Sequence, residues 1–312
     1  MYANIFLNLR HCATLCILFL ASWAMAQQNQ KIIYPNPAGS TNGSPHHLLA
    51  TPDGGWLLAG VVAPSGLSTW NYQPRLLKTD ANAVTQWDKT YLTPVPPRGV
   101  TARFSSVVNA PDGGWLCSLD DDSTGIDLLR VSADGVQQWT KNITTPLTLL
   151  GSVNGFYYGY SYNWQNGNYF ATFYRLNADG TIAASVVLPP VVLFINRGND
   201  MCLTSDGQLQ MLSTQKSGSN FVSKLTRFDL NGTVLWTSAS LPYAESNIEP
   251  DLNGGVILLA GKKFSRYNAQ GTVLNTSPAN FLPDIQSISS FVPVSDGGMV
   301  IGGQTVTQRG VL

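Results

Sequence analysis

Two short sequence modules recur in alternation along the chain, and this recurrence constrains the fold more than any other feature. The first module places Asp-Gly-Gly, or a variant of it, between two apolar runs, and the second places an Asp- or Asn-containing turn between two further runs. Copies of the first begin at Thr51, Ala110, Thr204, Asp251 and Val294, with a degenerate copy at Ser152. Copies of the second begin at Arg75, Leu128, Phe173, Thr226 and Phe264. Self-similarity of this kind predicts a repeat architecture.

Each module has the local signals of a β-hairpin. Asp-Gly and Asn-Gly supply the positive φ angles that tight turns need, and the flanking apolar runs are too short for helices. Two hairpins per unit of roughly 40–50 residues make a four-stranded sheet, which is the blade of a β-propeller. We therefore predict an all-β propeller with five complete blades, at residues 44–92, 101–144, 147–188, 198–240 and 246–277. A two-sheet sandwich is the alternative, but it does not explain five recurrences.

The repeat also predicts which connections lie together. With strands a to d numbered from the central channel outward, the Asp-Gly-Gly turns join a to b and the second turns join c to d. Both kinds of turn then lie at one end of the blades, which we name the turn face. The opposite end, named the loop face, carries the dissimilar segments 63–73, 92–103, 120–125, 163–168, 189–197, 215–220 and 241–247. Variable loops on a rigid scaffold are where binding residues concentrate.

A sixth blade begins at Ile285 and reaches its second strand at residues 299–303. Strands c and d are then missing, so we expect a C-terminally truncated chain. Residues 31–34 are one candidate for a strand that closes the ring from the N-terminus. The alternative to truncation is an irregular closure in which residues 304–312 serve as strand c.

The N-terminus has the pattern of a secretory signal peptide over residues 1–26. Arg10 and His11 precede a short apolar run at residues 13–21, and Ala24-Met25-Ala26 fits the small-x-small cleavage pattern. The alternative, a membrane anchor, needs about 20 apolar residues. We expect cleavage after Ala26, secretion or display at the cell surface, no membrane span in the mature chain, and a propeller domain over residues 27–312.

The second module resembles the outer-strand motif of the quinoprotein-like (PQQ-like) propellers. In that family a strand ending in Leu-Asp-x-x-Gly precedes a strand ending in a Trp that packs between blades. Trp87, Trp139 and Trp236 match that position, whereas blade 3 has Ala184 or Ser185 there and blade 5 has Asn275. The whole unit is similar to the repeats of secreted bacterial proteins that carry a type IX sorting domain. The resemblance covers residues 31–303 and implies the fold and secretion, but no particular activity.

Composition and spacing exclude several kinds of chemistry. The 18 basic and 18 acidic residues balance, so nucleic acid is an unexpected partner. Quinoprotein dehydrogenases need adjacent Cys residues, and Cys117 and Cys202 are far apart, so we expect no quinone cofactor and two buried thiols. The acidic run at residues 120–127 lacks the alternating pattern of a calcium loop, and neighbouring His46 and His47 point to opposite sides of a strand. We expect no metal site and no cofactor.

The candidate binding residues are the charged and aromatic side chains of the loop-face segments. They are Trp70, Tyr72, Arg98, Arg103, Asp120, Asp121, Asp122, Trp164, Arg197, Tyr243 and Glu245. In the aromatic segment 156–174, strand alternation buries about half of the rings between blades and leaves the others near Trp164 for the loop face.

These features favour a secreted, non-catalytic propeller that binds a glycan or a protein on the loop face. Two alternatives stay open. One is a carbohydrate-active hydrolase that uses loop-face carboxylates such as Asp121 or Glu245. The other is a structural spacer module of a larger cell-surface protein.

Overall fold

The computed structural model describes residues 40–64, 72–91, 103–121, 125–165, 168–188, 201–217, 220–241, 247–260, 263–277, 285–293, 298–305 and 310–311. All regular elements within these ranges are β-strands. The chain divides into a unit of residues 1–32, which lies outside the described residues, and a unit of residues 33–312, to which every observation below belongs. The expected signal peptide and the candidate closing strand at residues 31–34 also lie outside the described residues.

The first three blades are four-stranded and follow one another along the chain. Blade 1 consists of β1 (Ser40–Ala50), β2 (Trp56–Pro64), β3 (Gln73–Thr79) and β4 (Thr85–Thr90). Blade 2 consists of β5 (Arg103–Asn109), β6 (Trp115–Asp121), β7 (Gly125–Val131) and β8 (Gln137–Ile143). Blade 3 consists of β9 (Thr148–Val153), β10 (Phe156–Gln165), β11 (Asn168–Leu176) and β12 (Ile182–Val187).

Two further four-stranded blades and a smaller sheet complete the described fold. Blade 4 consists of β13 (Met201–Leu203), β14 (Leu209–Ser217), β15 (Asn220–Phe228) and β16 (Val234–Thr237). Blade 5 consists of β17 (Asn247–Pro250), β18 (Val256–Ala260), β19 (Lys263–Tyr267) and β20 (Val273–Thr276). The sixth sheet consists of β21 (Ile285–Pro293), β22 (Met299–Thr305) and β23 (Gly310–Val311).

The sheets form a ring, which confirms the predicted propeller. Within each sheet, sequential strands pair antiparallel in simple order. The first strand of every blade contacts the first strand of the next, and β1 contacts β21 of the sixth sheet. These first strands are therefore innermost. In the sixth sheet β23 pairs with β22, as expected if residues 304–312 supply a short strand c.

The Asp-Gly-Gly turns explain why this repeat needs two glycines in succession. Gly54 adopts φ +80°, and its N–H donates to the Thr51 carbonyl. Gly55 has another role, because a Cβ there would meet the carbonyl oxygen of Thr79 on strand c. The first glycine thus turns the chain, and the second lets the turn lie against strand c.

The hydrophobic core lies between neighbouring blades. Between blades 1 and 2, Leu57 and Leu76 pack with Phe104 and Trp115. Equivalent clusters fill the later interfaces, and between blade 5 and the sixth sheet the cluster includes Phe264 and Phe291. Cys117 and Cys202 are buried as free thiols in two of these clusters. Each blade therefore buries its apolar surface against the next.

The outer-strand tryptophans pack between blades, as the PQQ-like motif implies. Trp87 Nε1 donates to the Ala133 carbonyl at 3.1 Å, and Trp236 Nε1 donates to the Ala269 carbonyl at 3.0 Å. In both cases the acceptor belongs to the c–d turn of the following blade. Trp139 lies close to Gly180 of the next turn, where a Cβ would contact its ring. Each tryptophan thus links its own blade to the next one.

In blade 3, which lacks the tryptophan, Val186 and Leu188 contact Gly232 of the next turn instead. Aliphatic side chains therefore fill the place of the indole at this interface.

Candidate ligand-binding face

The two ends of the blades differ in regularity. In the five complete blades the c–d turns all have the same length, residues 80–84, 132–136, 177–181, 229–233 and 268–272. The loop-face connections differ widely, for example residues 65–72 between β2 and β3 but residues 166–167 between β10 and β11. The repeat therefore dictates the turn face and leaves the loop face free to vary.

Several predicted binding residues fall outside the described residues. They are Trp70, Arg98, Asp122, Arg197, Tyr243 and Glu245. The other five lie on described strands or at their ends: Tyr72, Arg103, Asp120, Asp121 and Trp164. Tyr72 and Asp120 have described side chains, and both are half-buried. All five lie at the loop-face ends of blades 1, 2 and 3.

Blade 2 brings two of the predicted residues together. Arg103 and Asp120 are direct backbone partners across β5 and β6, and Asp121 is opposite Gly125 on β7. Beside them, Asp127 accepts a hydrogen bond from Asn142 Nδ2 at 3.0 Å. The loop-face end of blade 2 is therefore polar, and it carries both signs of charge.

Blade 3 carries a column of aromatic rings that leads from the core to the loop face. Tyr158 and Tyr160 are buried, with exposed fractions of 3% and 5%, whereas Tyr162 is half-buried. The Tyr160 and Tyr162 rings meet edge to face with centroids 5.1 Å apart. Asn163, the next residue, is exposed and is followed by Trp164 at the tip of β10. Burial in this segment therefore follows distance from the loop face and not strand alternation, since Tyr157 and Tyr158 are both buried on opposite sides of the sheet.

The lower part of this column is fixed by ring stacking and burial. Tyr158 stacks on Phe173 with ring centroids 5.5 Å apart and planes 8° from parallel. Tyr157 points to the other side of the sheet, and burial there raises the pKa of its hydroxyl. The column therefore offers a rigid support for any ring that stands at its upper end.

Blade 1 holds a buried cation behind the predicted residue Tyr72. The Arg75 side chain is almost fully buried, and its Nε and Nη2 donate to the two carboxylate oxygens of Asp88 at 2.7 and 2.5 Å. Bidentate pairing of this kind holds a guanidinium in one orientation. Arg75 is a structural cation that fixes the position of β3, at the start of which Tyr72 lies.

The turn face contains a set of ion pairs that the sequence analysis missed. In blade 1, Lys78 Nζ lies 2.8 Å from Asp53 Oδ2, and the cation is almost fully buried. The same position on strand c supplies Arg130, paired with Asp112, and Arg227, paired with Asp206. Each pair clamps an a–b turn to strand c of the same blade.

Two blades depart from this arrangement. In blade 5 the carboxylate moves to the first position of the module, where Asp251 Oδ2 lies 3.5 Å from Arg266 Nε. In blade 3 the a–b turn has Asn154 and no carboxylate, and Arg175 stands over the Phe156 ring at 4.8 Å. The sequence does contain a signal for these ion pairs. All five copies of the second module carry Lys or Arg two positions before the Asp, Ser or Asn that begins the c–d turn.

Two carboxylates of the turn face, those of Asp53 and Asp229, have lowered pKa values because they accept hydrogen bonds. The hydrogen bond from Lys78, assisted by one from the Thr51 hydroxyl, lowers the pKa of Asp53 to about 2. In the c–d turn of blade 4, the N–H groups of Thr233 and Asn231 donate to Asp229 and lower its pKa as well. Carboxyl groups with lowered pKa values are poor general acids at neutral pH. These aspartates serve the fold rather than proton transfer.

Neither a metal-binding cluster nor a membrane-spanning helix occurs among the described residues. Within these ranges, no group of three or more His, Cys, Asp or Glu side chains is placed to hold a metal ion. None of the described segments is a helix of the length and apolarity needed to cross a membrane.

Comparison with known proteins identifies the fold and goes no further. No protein-family model and no curated protein matches the chain. Among solved structures, a protein of unknown function from Dyadobacter fermentans is similar with a TM-score of 0.57 and 11% identity, covering 91% of this chain and 97% of that one. The Dos1 propeller is similar with a TM-score of 0.50 and 12% identity, covering 82% of this chain and 65% of that one. Both similarities support the propeller architecture.

A gluconolactonase from Xanthomonas campestris also aligns, with 14% identity over 90% of this chain and 98% of that one. The TM-score of this alignment is 0.46.

Proposed function

We propose that this protein is a secreted, non-catalytic β-propeller that binds a glycan on its loop face, at the end of blade 3. The observation that carries the proposal is the aromatic column that ends at half-buried Tyr162 beside exposed Asn163. Sugar rings stack their apolar faces on aromatic side chains and form hydrogen bonds through their hydroxyls. Tyr162 offers an aromatic ring, and Asn163, which points to the other side of the strand, places an exposed amide at the same end of the blade.

The charge of the chain favours a neutral ligand. The 18 basic and 18 acidic residues cancel, and several of the charges are used in ion pairs of the turn face. At the loop face, Arg75 is paired with Asp88. A surface of this composition offers little long-range attraction to a charged partner. Of the two partner classes that the sequence left open, the glycan fits it better than a strongly charged protein.

The absence of catalysis is part of the proposal. Glycoside hydrolysis needs two carboxyl groups across the scissile bond, about 5 to 9.5 Å apart. The recurring aspartates of the chain lie at the turn face, where Lys78, Arg130 and Arg227 neutralise three of them. A repeat that places its carboxylates at the end away from the ligand is better suited to binding than to hydrolysis.

Secretion is proposed from the N-terminal pattern of residues 1–26. The similarity of the repeat to secreted, type IX-sorted bacterial propellers supports the same compartment. Expression in a secreting bacterial host is expected to give protein in the medium or at the cell surface, with its N-terminus at Gln27. N-terminal sequencing tests this expectation, and a protein that still begins at Met1 would contradict it.

The binding proposal is tested with a panel of neutral oligosaccharides and three variants. Asn163→Ala and Trp164→Ala change the two residues that follow Tyr162 on β10. Gln270→Ala removes an exposed side chain at the turn face and is the matched control. We expect the first two to weaken binding about tenfold or more, equivalent to about 1.4 kcal/mol, and the control to leave it unchanged.

The outcomes separate the alternatives. Equal affinity in all variants would contradict the proposed site. Release of shortened sugars from the same panel would support the hydrolase alternative instead. Failure to bind any member of the panel, with a protein partner recovered or with no ligand at all, would overturn the glycan assignment and favour a protein-binding or spacer role.

A further inference from the structure

The outer strands of the five blades differ sharply in charge. In blades 1 and 2 they read TQWDKT and QQWTKNI and include Asp88, Lys89 and Lys141. In blades 3, 4 and 5 they read IAASVV, VLWT and VLNT and contain no charged residue. Charged side chains are the common protection of exposed strand edges in natural sheets. Blades 1 and 2 have this protection, whereas blades 3 to 5 lack it.

The uncharged outer strands also expose aliphatic side chains to solvent. These are Ile182 and Val187 on β12, Val234 and Leu235 on β16, and Val273 and Leu274 on β20, with exposed fractions between 43% and 61%. The positions that correspond to Val234 and Leu235 in blade 2 are Gln137 and Gln138, which are exposed and polar. The difference is therefore one of residue type at equivalent places in the repeat.

The three strands follow one another around the outside of the ring, and each contacts the c–d turn that precedes the next. Gly232, two residues before Val234, lies against Val186 of β12. Gly271, two residues before Val273, lies against Trp236 of β16. The outer strand of each blade thus borders the beginning of the next outer strand. We name residues 182–187, 234–237 and 273–276 the apolar edge strip.

The strip presents backbone as well as side chains. β12, β16 and β20 are the last strands of their sheets, so each pairs with a neighbour along one side only among the strands that the structure describes. The other side of such a strand carries N–H and C=O groups in the spacing of a sheet. Exposed apolar side chains on a strand edge are a template for a further strand.

We infer that the apolar edge strip is the surface through which two copies of this chain associate, with their outer strands paired edge to edge. A two-fold interface brings the same surface of both copies together, so a charged strip would repel itself. The strip has no charge to repel, and an antiparallel pair of identical strands satisfies donors and acceptors of both copies. The outer strands of blades 1 and 2 carry charged residues, so two copies of either strand would repel each other more strongly.

The size of the strip sets the expected strength. A standard stable interface buries about 800 Å² on each partner. Six aliphatic side chains, each already about half-buried, expose less than that area. The association should therefore be weak, with monomer and dimer in exchange at micromolar concentration.

Analytical ultracentrifugation over about a hundredfold range of micromolar concentration tests the inference. The wild type and all variants begin at the same residue, so the N-terminal segment contributes equally to association in each of them. Wild-type protein is expected to increase in mean mass toward a dimer as concentration rises. The double variant V234K/L235K, and independently V273K/L274K, should reduce the association constant at least about tenfold. Circular dichroism confirms that each variant is folded.

The matched control is Q137K/Q138K, which adds the same charge at the equivalent place of blade 2. It should associate like the wild type. Three results would overturn the inference: a wild-type protein that stays monomeric throughout, association that survives both lysine variants of the strip, or an equal loss in the blade 2 control, which would indicate a general effect of net charge.

Discussion

The turn face and the loop face are built from the same strands, yet the repeat controls only one of them. At the turn face the recurring glycines, carboxylates and tryptophans contact strand c of their own blade or the turn of the next blade. A change in any one of these contacts disturbs the packing of a blade or an interface between blades. At the loop face the connections differ in length and composition from blade to blade. The recurring residues of the turn face therefore stabilise the fold, whereas the variable connections of the loop face can change without disturbing it and can acquire a binding function.

The strongest test of this contrast compares two adjacent glycines of the turn face. Gly113 has φ +89° and open space where a methyl group would stand, so Gly113→Ala should cost about 1 kcal/mol of backbone strain. In Gly114→Ala the new Cβ would collide with the Val131 carbonyl and the Arg130 guanidinium. We expect a loss of about 3 kcal/mol or more in urea unfolding. Equal losses would contradict the proposed role of the second glycine.

An ion pair of the turn face gives an effect of middle size that depends on pH. The pKa of Asp53 is 3.8 when unperturbed and about 2 in the folded protein. Because the folded value is lower, the pair stabilises the protein fully above about pH 4 and loses this contribution as the pH falls toward 2.

Asp53→Asn should therefore lower the free energy of unfolding at pH 7 by about 1 kcal/mol, since about half of the Asp53 side chain is exposed. The difference between variant and wild type should shrink below pH 4 in urea titrations. Asp134→Asn, at an exposed turn residue, is the control and should show little difference at either pH. A variant gap that is constant from pH 7 to pH 2 would show that the charge of Asp53 is not the cause.

The smallest effect is expected at the loop face. Asn142→Ala removes the exposed amide that donates to Asp127. Polar contacts between exposed side chains contribute little, so the change in unfolding free energy should stay below about 0.5 kcal/mol. A thermal or urea unfolding curve measures it. A loss as large as that of Asp53→Asn would remove the contrast between the two faces.

The sequence predicted the strands, the turns and the ring because each of these depends on local residues that recur. The two glycines of each Asp-Gly-Gly turn and Trp87, Trp139 and Trp236 could be found by alignment of the chain with itself. The ion pairs were missed although Lys78, Arg130 and Arg227 recur at one position of the module. Their partners lie on another hairpin of the blade, so the pairing becomes visible only when strands b and c are side by side.

The candidate site was harder to predict than the fold, for a physical reason. Placement of Tyr72, Arg103, Asp120, Asp121 and Trp164 at one end of the blades followed from the direction of the strands. Which of them lie close together depends on blade positions around the ring, and no repeat fixes a loop that occurs once. The pairing of Arg75 with Asp88 shows the same limit, since equivalent positions in blade 2 are Asp127 and Thr140.

The tryptophan links give assembly of the ring a direction. Trp87 packs on the turn of blade 2, Trp139 on that of blade 3 and Trp236 on that of blade 5, always toward the C-terminus. During synthesis, a blade that carries one of these tryptophans therefore emerges from the ribosome before the c–d turn on which its indole packs. Each such blade is completed by its successor, and the contact of β1 with β21 forms only after β21 has been translated. Folding of this chain should thus proceed as a moving front that ends with a single long-range closure.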